Sequence, residues 1–196
     1  MIIECLFVLT TFCAQCGPSV DPSLTKAIIQ VESGGNPFAI GDNTARKSYF
    51  PGSKSDAVQL AGYLLSQGHN LDMGLMQINS CHLGAKGLSL DVLFDPCGNV
   101  KFGTSLLADY FRMHSGDPDK TQVLFKALSA YNTGSVWRGP DYINRILEAV
   151  KAPYRVAVVN PPKERKSKGL KASSGSYSSK SDNYYSSPLF FSGGNL

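Results

Sequence analysis

Histidine is scarce in this 196-residue chain: there are three, at 69, 82 and 114. None stands at a recognised spacing from a nucleophilic Ser or Cys. With the five cysteines, Cys5, Cys13, Cys16, Cys81 and Cys97, they give no zinc-ligand pattern. The plain reading of each histidine is therefore a satisfied or solvated side chain. No apolar run reaches the roughly 20 residues that a transmembrane helix needs, and no internal repeat is visible. Charged residues make up 17% of the chain and are unevenly placed. Residues 1–150 hold 11 Lys/Arg against 13 Asp/Glu, whereas residues 151–196 hold 8 against 2. A slightly acidic body argues against a dedicated nucleic-acid-binding domain, which concentrates basic residues on its folded part.

What is present is ordinary globular material. Hydrophobic residues make up 42% of the chain, enough for one core. The length suits one domain with extra segments. Residues 2–12 are mostly apolar and end near small residues, like the central part of a secretory signal peptide. The segment departs from that pattern because no Lys or Arg precedes it and Glu4 interrupts it. A buried N-terminal helix or strand is the competing expectation. Residues 1–17 thus form a candidate signal peptide, 18–153 the domain, and 154–196 a basic Ser/Tyr-rich tail. That tail is too poor in apolar groups to offset chain entropy and is expected to be disordered in isolation.

Five helices are legible. Asp21-Pro22 is an N-cap followed by proline at the first helical position. Leu24, Ala27, Ile28 and Val31 then repeat at i, i+3, i+4 and i+7, and Gly34-Gly35 with Asn36-Pro37 end the run. Residues 36–54 read as loop with some short strand. A helix over 55–67 follows, with Gly68 at its end, and residues 69–89 read as irregular. Asp95-Pro96 starts a long amphipathic helix to about His114. Asp117-Pro118 starts another that carries Leu124, Ala127, Leu128 and Tyr131. Pro140 opens the last, with Ile143, Ile146, Leu147 and Val150. The fold class expected is mainly α with little β.

Glu32 falls on the last turn of the first of these helices, beside its apolar stripe. A carboxyl desolvated there is held protonated near neutral pH and can serve as a general acid. Glycosidic cleavage needs such a group, because the leaving oxygen must gain a proton. One glutamate alone is more often an ordinary surface residue.

Four motifs add weight. Val31-Glu32-Ser33-Gly34-Gly35-Asn36-Pro37-Phe38-Ala39, Gly74-Leu75-Met76-Gln77-Ile78-Asn79, Ala130-Tyr131-Asn132 and Asp141-Tyr142-Ile143 occur in this order. Together they resemble the motifs of the soluble lytic transglycosylase family, over roughly residues 18–152. Three local features resemble the branch serving type IV secretion systems: Cys16-Gly17-Pro18-Ser19-Val20, Asn70-Leu71-Asp72-Met73-Gly74 and Leu93-Phe94-Asp95-Pro96-Cys97.

The resemblance implies a lysozyme-like domain, periplasmic location, peptidoglycan as substrate and no cofactor. It also implies a Cys16–Cys97 disulfide with Cys81 left as a thiol; buried reduced cysteines are the bland alternative. In the implied reaction Glu32 protonates the MurNAc–GlcNAc bridge. It then accepts the proton of the sugar's own C6 hydroxyl, which closes a 1,6-anhydro ring. One carboxylate is then enough, where ordinary glycosidases use two. Asp72 is the nearby acid by motif, and a turn-forming aspartate is its plainer reading.

By motif position, Ser33 orients Glu32, Gln77 donates to the substrate or lines the cleft, and Met76 packs beneath a sugar or fills the core. Tyr131 stacks on a sugar, positions Glu32 or belongs to the core. Asn132 binds an acetamido group, and Tyr142 donates toward Glu32 or the substrate. Trp137 is a sugar platform or a loop anchor. The basic tail either stays a solvated appendage or recruits secretion-apparatus components. Two competing functions remain: a muramidase that adds water, and a non-catalytic peptidoglycan-binding scaffold.

Overall fold

The computed structural model describes residues 2–84 and 87–151, with side chains from residue 8 onward. The tail reading falls outside the described residues. Seven α-helices and one small sheet are found among the described residues: α1 (Ile2–Cys16), α2 (Pro22–Ser33), β1 (Ile40–Asp42), β2 (Lys47–Tyr49), α3 (Lys54–Ser66), β3 (Leu71–Met73), β4 (Ile78–Asn79), α4 (Leu90–Leu93), α5 (Pro96–Met113), α6 (Lys120–Thr133) and α7 (Pro140–Ala149). The domain is mainly α, as the periodicity predicts. No described helix is long and apolar enough to cross a membrane.

Capping explains most of the boundaries. The Asp21 carboxylate accepts the backbone N–H groups of Ser23 and Leu24, and Gly34 closes α2 in the left-handed region at φ 62°. Asp95 caps α5 through Gly98 N at 2.7 Å. One start lies later than expected. Asp119, not Asp117, caps α6, through Thr121 N at 2.9 Å. Asp117 instead holds the Lys126 ammonium at 2.7 Å, so its carboxylate is committed elsewhere.

The sheet is the larger departure from expectation. Its strand order is β2-β1-β3-β4, antiparallel throughout, with Gly41 opposite both Ser48 and Asp72, and Asp72 opposite Asn79. Residues 69–89 are thus not simply irregular. Strands of two or three residues are too short to display the alternation that identifies a strand in sequence. The period-two geometry sends Ile40, Leu71, Met73 and Ile78 into the core and leaves Gly41, Asp72 and Asn79 on the opposite face. Asp42 also points inward. Its carboxylate accepts Thr44 N and Ala45 N and meets His69 Nδ1 at 2.7 Å, which satisfies that histidine as expected.

The core joins both layers. Ile28, Ile40, Met73, Met76, Phe94, Val100, Leu107, Leu128 and Ile146 are almost fully enclosed. Helix α5 is its spine. Residues 2–16 are helical, and Cys13 is wholly buried near the helix end. Cys16 and Cys97 form a disulfide with a Cα–Cα separation of 5.1 Å. It joins α1 to the first turn of α5. Among the described residues, Cys81 is an exposed free thiol and Cys13 a buried one.

Candidate active site

The placement of Glu32 follows from the phase of α2. The deeply buried Thr25, Ile28 and Ile29 stand at the i, i+3 and i+4 positions of a face whose i+7 member is Glu32. The apolar stripe drawn through Leu24 and Val31 is only partly buried. The true core face is rotated toward Glu32, and the helix drives its last carboxyl against protein. The residue keeps some exposure, as an acid that must meet a substrate requires.

Burial is the main reason that the Glu32 pKa rises from 4.5 to about 7. Opposing this, Tyr142 offers a hydrogen bond that favours the carboxylate. Asp72 adds a like charge that raises the pKa again, and Arg145 adds a cation that lowers it. The Tyr142 hydroxyl is buried and, among the described residues, closes no hydrogen bond of full geometry. We read its effect on Glu32 as an approach that is not yet aligned, a common state of catalytic hydrogen bonds in unliganded sites.

Next to Glu32, Ser33 Oγ donates to the Leu75 carbonyl at 2.8 Å, with the Ile29 carbonyl 3.2 Å away. Tyr131 Oη donates to the Met76 carbonyl at 2.8 Å. Both residues thus hold the loop over 74–77. From the other side Asn99, fully buried on α5, uses one amide three times. Its Oδ1 accepts Met76 N at 2.8 Å, and its Nδ2 donates to Met73 O at 2.9 Å and Leu93 O at 2.8 Å. Gly74 has φ 77°, and a Cβ there would come within 2.2 Å of Asn99 Nδ2, so only glycine fits. The sequence reading missed Asn99. A polar residue at a buried position of an amphipathic helix was the available signal.

The fold selects among the readings of three residues. Met76 is fully buried, with its thioether seated where Gly103 has no side chain, so it offers no surface to a sugar. Gln77, at the unusual φ of 46°, spends both amide hydrogens on the Ala39 and Gly74 carbonyls at 3.1 and 2.9 Å. It lines the loop and has no N–H left to donate to a substrate. Asp72 is no turn residue either. It sits in β3, where Asn43 and Asn79 each donate to one of its carboxylate oxygens at 2.7 Å. Burial raises its pKa against those two donors.

Asn132 is exposed, and its Oδ1 lies beside Gly139 at the head of α7. Trp137 is 45% exposed, with the Lys126 ammonium 5.8 Å from the ring centroid. Its loop is tied to α6 by Arg138 N donating to Ser129 Oγ at 3.0 Å. Among the described residues no group of three or more His, Cys, Asp or Glu side chains is placed to hold a metal ion.

A part-buried, proton-retaining glutamate at a helix end, beside a clamped loop and a tyrosine, is a site suited to protonating a bridging oxygen. The transglycosylase SLT domain family model matches residues 10–138, and the chain belongs to this family. It is 33% identical over 160 residues to protein virB1 of Agrobacterium fabrum, covering 81% of this chain and 65% of that protein. It is 35% identical over 156 residues to the type IV secretion system protein virB1 of Brucella abortus, covering 75% of this chain and 66% of that protein. A peptidoglycan-binding-like protein of Escherichia coli O157:H7 is 30% identical over 121 residues, covering 59% of this chain and 58% of that protein. The chain therefore spans just under two thirds of the length of the virB1 relatives. No solved structure matches significantly.

Proposed function

We propose that the protein is a peptidoglycan lytic transglycosylase that cuts the MurNAc–GlcNAc link without water. It acts in the periplasm, where it opens the wall locally for a type IV secretion or conjugation apparatus. The observation that carries the reading is the Glu32 carboxyl, held protonated up to about pH 7 by burial beside Tyr142. In this mechanism Glu32 delivers its proton to the bridging oxygen as the bond breaks. The resulting carboxylate then accepts the C6 hydroxyl proton as that oxygen closes on the anomeric carbon. Ser33 and Tyr131 act through the 74–77 loop, Tyr142 steadies the ionised form of Glu32, and Asn132 meets an acetamido group. Membership of the family and the similarity to virB1 proteins support this reading.

One observation favours a second reading. Asp72 places a second carboxylate within electrostatic reach of Glu32, and two-carboxylate sites hydrolyse glycosides with water. Digestion of purified sacculi followed by mass spectrometry separates the two. Anhydro ends, one water lighter than reducing ends, support the transglycosylase; reducing ends alone establish a muramidase. Full lysis by Glu32→Gln contradicts both.

A further inference from the structure

Arg145 stands out once the site is drawn. It lies one turn after Tyr142 on α7 and is exposed, with its guanidinium carbon 5.9 Å from the centre of the Tyr142 ring. Among the described residues it makes no ion pair at contact distance and no hydrogen bond, and the carboxyl it influences is that of Glu32. The carboxylates held elsewhere are paired with other groups: Asp117 with Lys126, Asp42 with His69, and Asp72 with two asparagines. A cation beside the general acid also works against the burial that keeps Glu32 protonated. Its place there calls for a task other than tuning that acid.

We propose that Arg145 recognises the substrate by binding a carboxylate carried on the lactyl arm of the muramyl sugar. This inference rests on peptidoglycan being the substrate. Arginine suits the task because its planar fork takes a carboxylate through two parallel N–H donors and stays charged throughout. The Tyr142 ring, its centre 5.9 Å from the guanidinium carbon, adds a cation–π contact. The chemistry has two sources. On intact strands the carboxylate belongs to the stem peptide. On strands stripped by an amidase it is the lactyl carboxylate itself. Neutralising Arg145 in this way removes the one cation that favours ionised Glu32, so carboxylate binding and readiness of the acid are coupled. The other groups facing Glu32 are Tyr142 and Asp72, and neither changes charge in this step.

The test compares wild type with Arg145→Gln, and Glu32→Gln with Glu32→Gln/Arg145→Gln. Three ligands are used: intact strands, amidase-stripped strands and chito-oligosaccharides, which carry no carboxylate. Arg145→Gln is expected to raise KM on intact or stripped strands by about tenfold, the scale of one charged hydrogen-bonded contact. The loss on intact strands alone identifies the stem peptide. A loss on stripped strands alone identifies the lactyl carboxylate, and a loss on both shows that the guanidinium takes a carboxylate from either source. Affinity for chito-oligosaccharides stays the same, and the alkaline limb of the rate profile moves to higher pH. An equal loss on all three ligands, or no loss on any, overturns the assignment. The Glu32→Gln pair reads binding without turnover. A wild type that cuts nothing therefore sinks the proposed reaction, while selective loss of carboxylate-dependent binding still upholds Arg145.

Discussion

Replacing Glu32 by glutamine is expected to stabilise the protein at alkaline pH. The unfolded chain has an ordinary glutamate with a pKa of 4.5, and the fold raises it to about 7. Each tenfold change in proton affinity is worth about 1.4 kcal/mol, so the native state loses about 3 kcal/mol in carrying this group ionised. The direction is fixed by proton counting. Between pH 4.5 and about 7 the folded protein binds more protons at this site than the unfolded chain, so this contribution falls as pH rises through that window and is flat above it. Glutamine has no proton to lose and escapes the penalty. Urea unfolding at pH 8 should show Glu32→Gln about 2–3 kcal/mol more stable than wild type, and the gap should shrink toward pH 5. Equal stability at pH 8, or a gap that does not change with pH, refutes the claim that burial governs this carboxyl.

The Cys16–Cys97 bond closes a sequence separation of 81 residues, so the paired change to serine should cost about 4.5 kcal/mol in chemical denaturation; a loss under about 1 kcal/mol would show that the tie contributes little. Asn99→Ala strands Met76 N–H and the Met73 and Leu93 carbonyls inside the protein. It should cost about 3–5 kcal/mol and reduce turnover in the molecules that remain folded, whereas unchanged activity would separate the 74–77 loop from catalysis.

Much of the helical framework can be read directly from the sequence, because proline and aspartate at helix starts and glycine at helix ends act locally. Asp21-Pro22, Asp95-Pro96 and Gly139-Pro140 fall where α2, α5 and α7 begin. Asp117-Pro118 misleads because another acid two residues on is the better cap and Lys126 draws Asp117 away. The strands stay hidden because their pairing is nonlocal and each is at most three residues long. The same limit hides the nature of Asp72, which is a turn residue only until β1 and β4 flank it.

The site divides in the same way. Four motifs mark the segments, but which end of a side chain is free depends on the fold. Gln77 reads equally as a donor or as lining until the Ala39 and Gly74 carbonyls claim its amide, and Met76 as a sugar support or a core filler until Gly103 admits it to the core. Asn99 and Arg145 carry no motif. Their neighbours come from strands and helices distant in sequence, so their surroundings appear only in three dimensions.

The central claim concerns one proton, and it can be watched directly. The chain has four glutamates, Glu4, Glu32, Glu148 and Glu164. In protein carrying carbon-13 at the glutamate carboxyls, NMR titration should show one signal with a midpoint of about 7, and that signal should vanish in Glu32→Gln. If every glutamate instead titrates near 4.5, the acid is ionised at neutral pH and the account of this site is wrong.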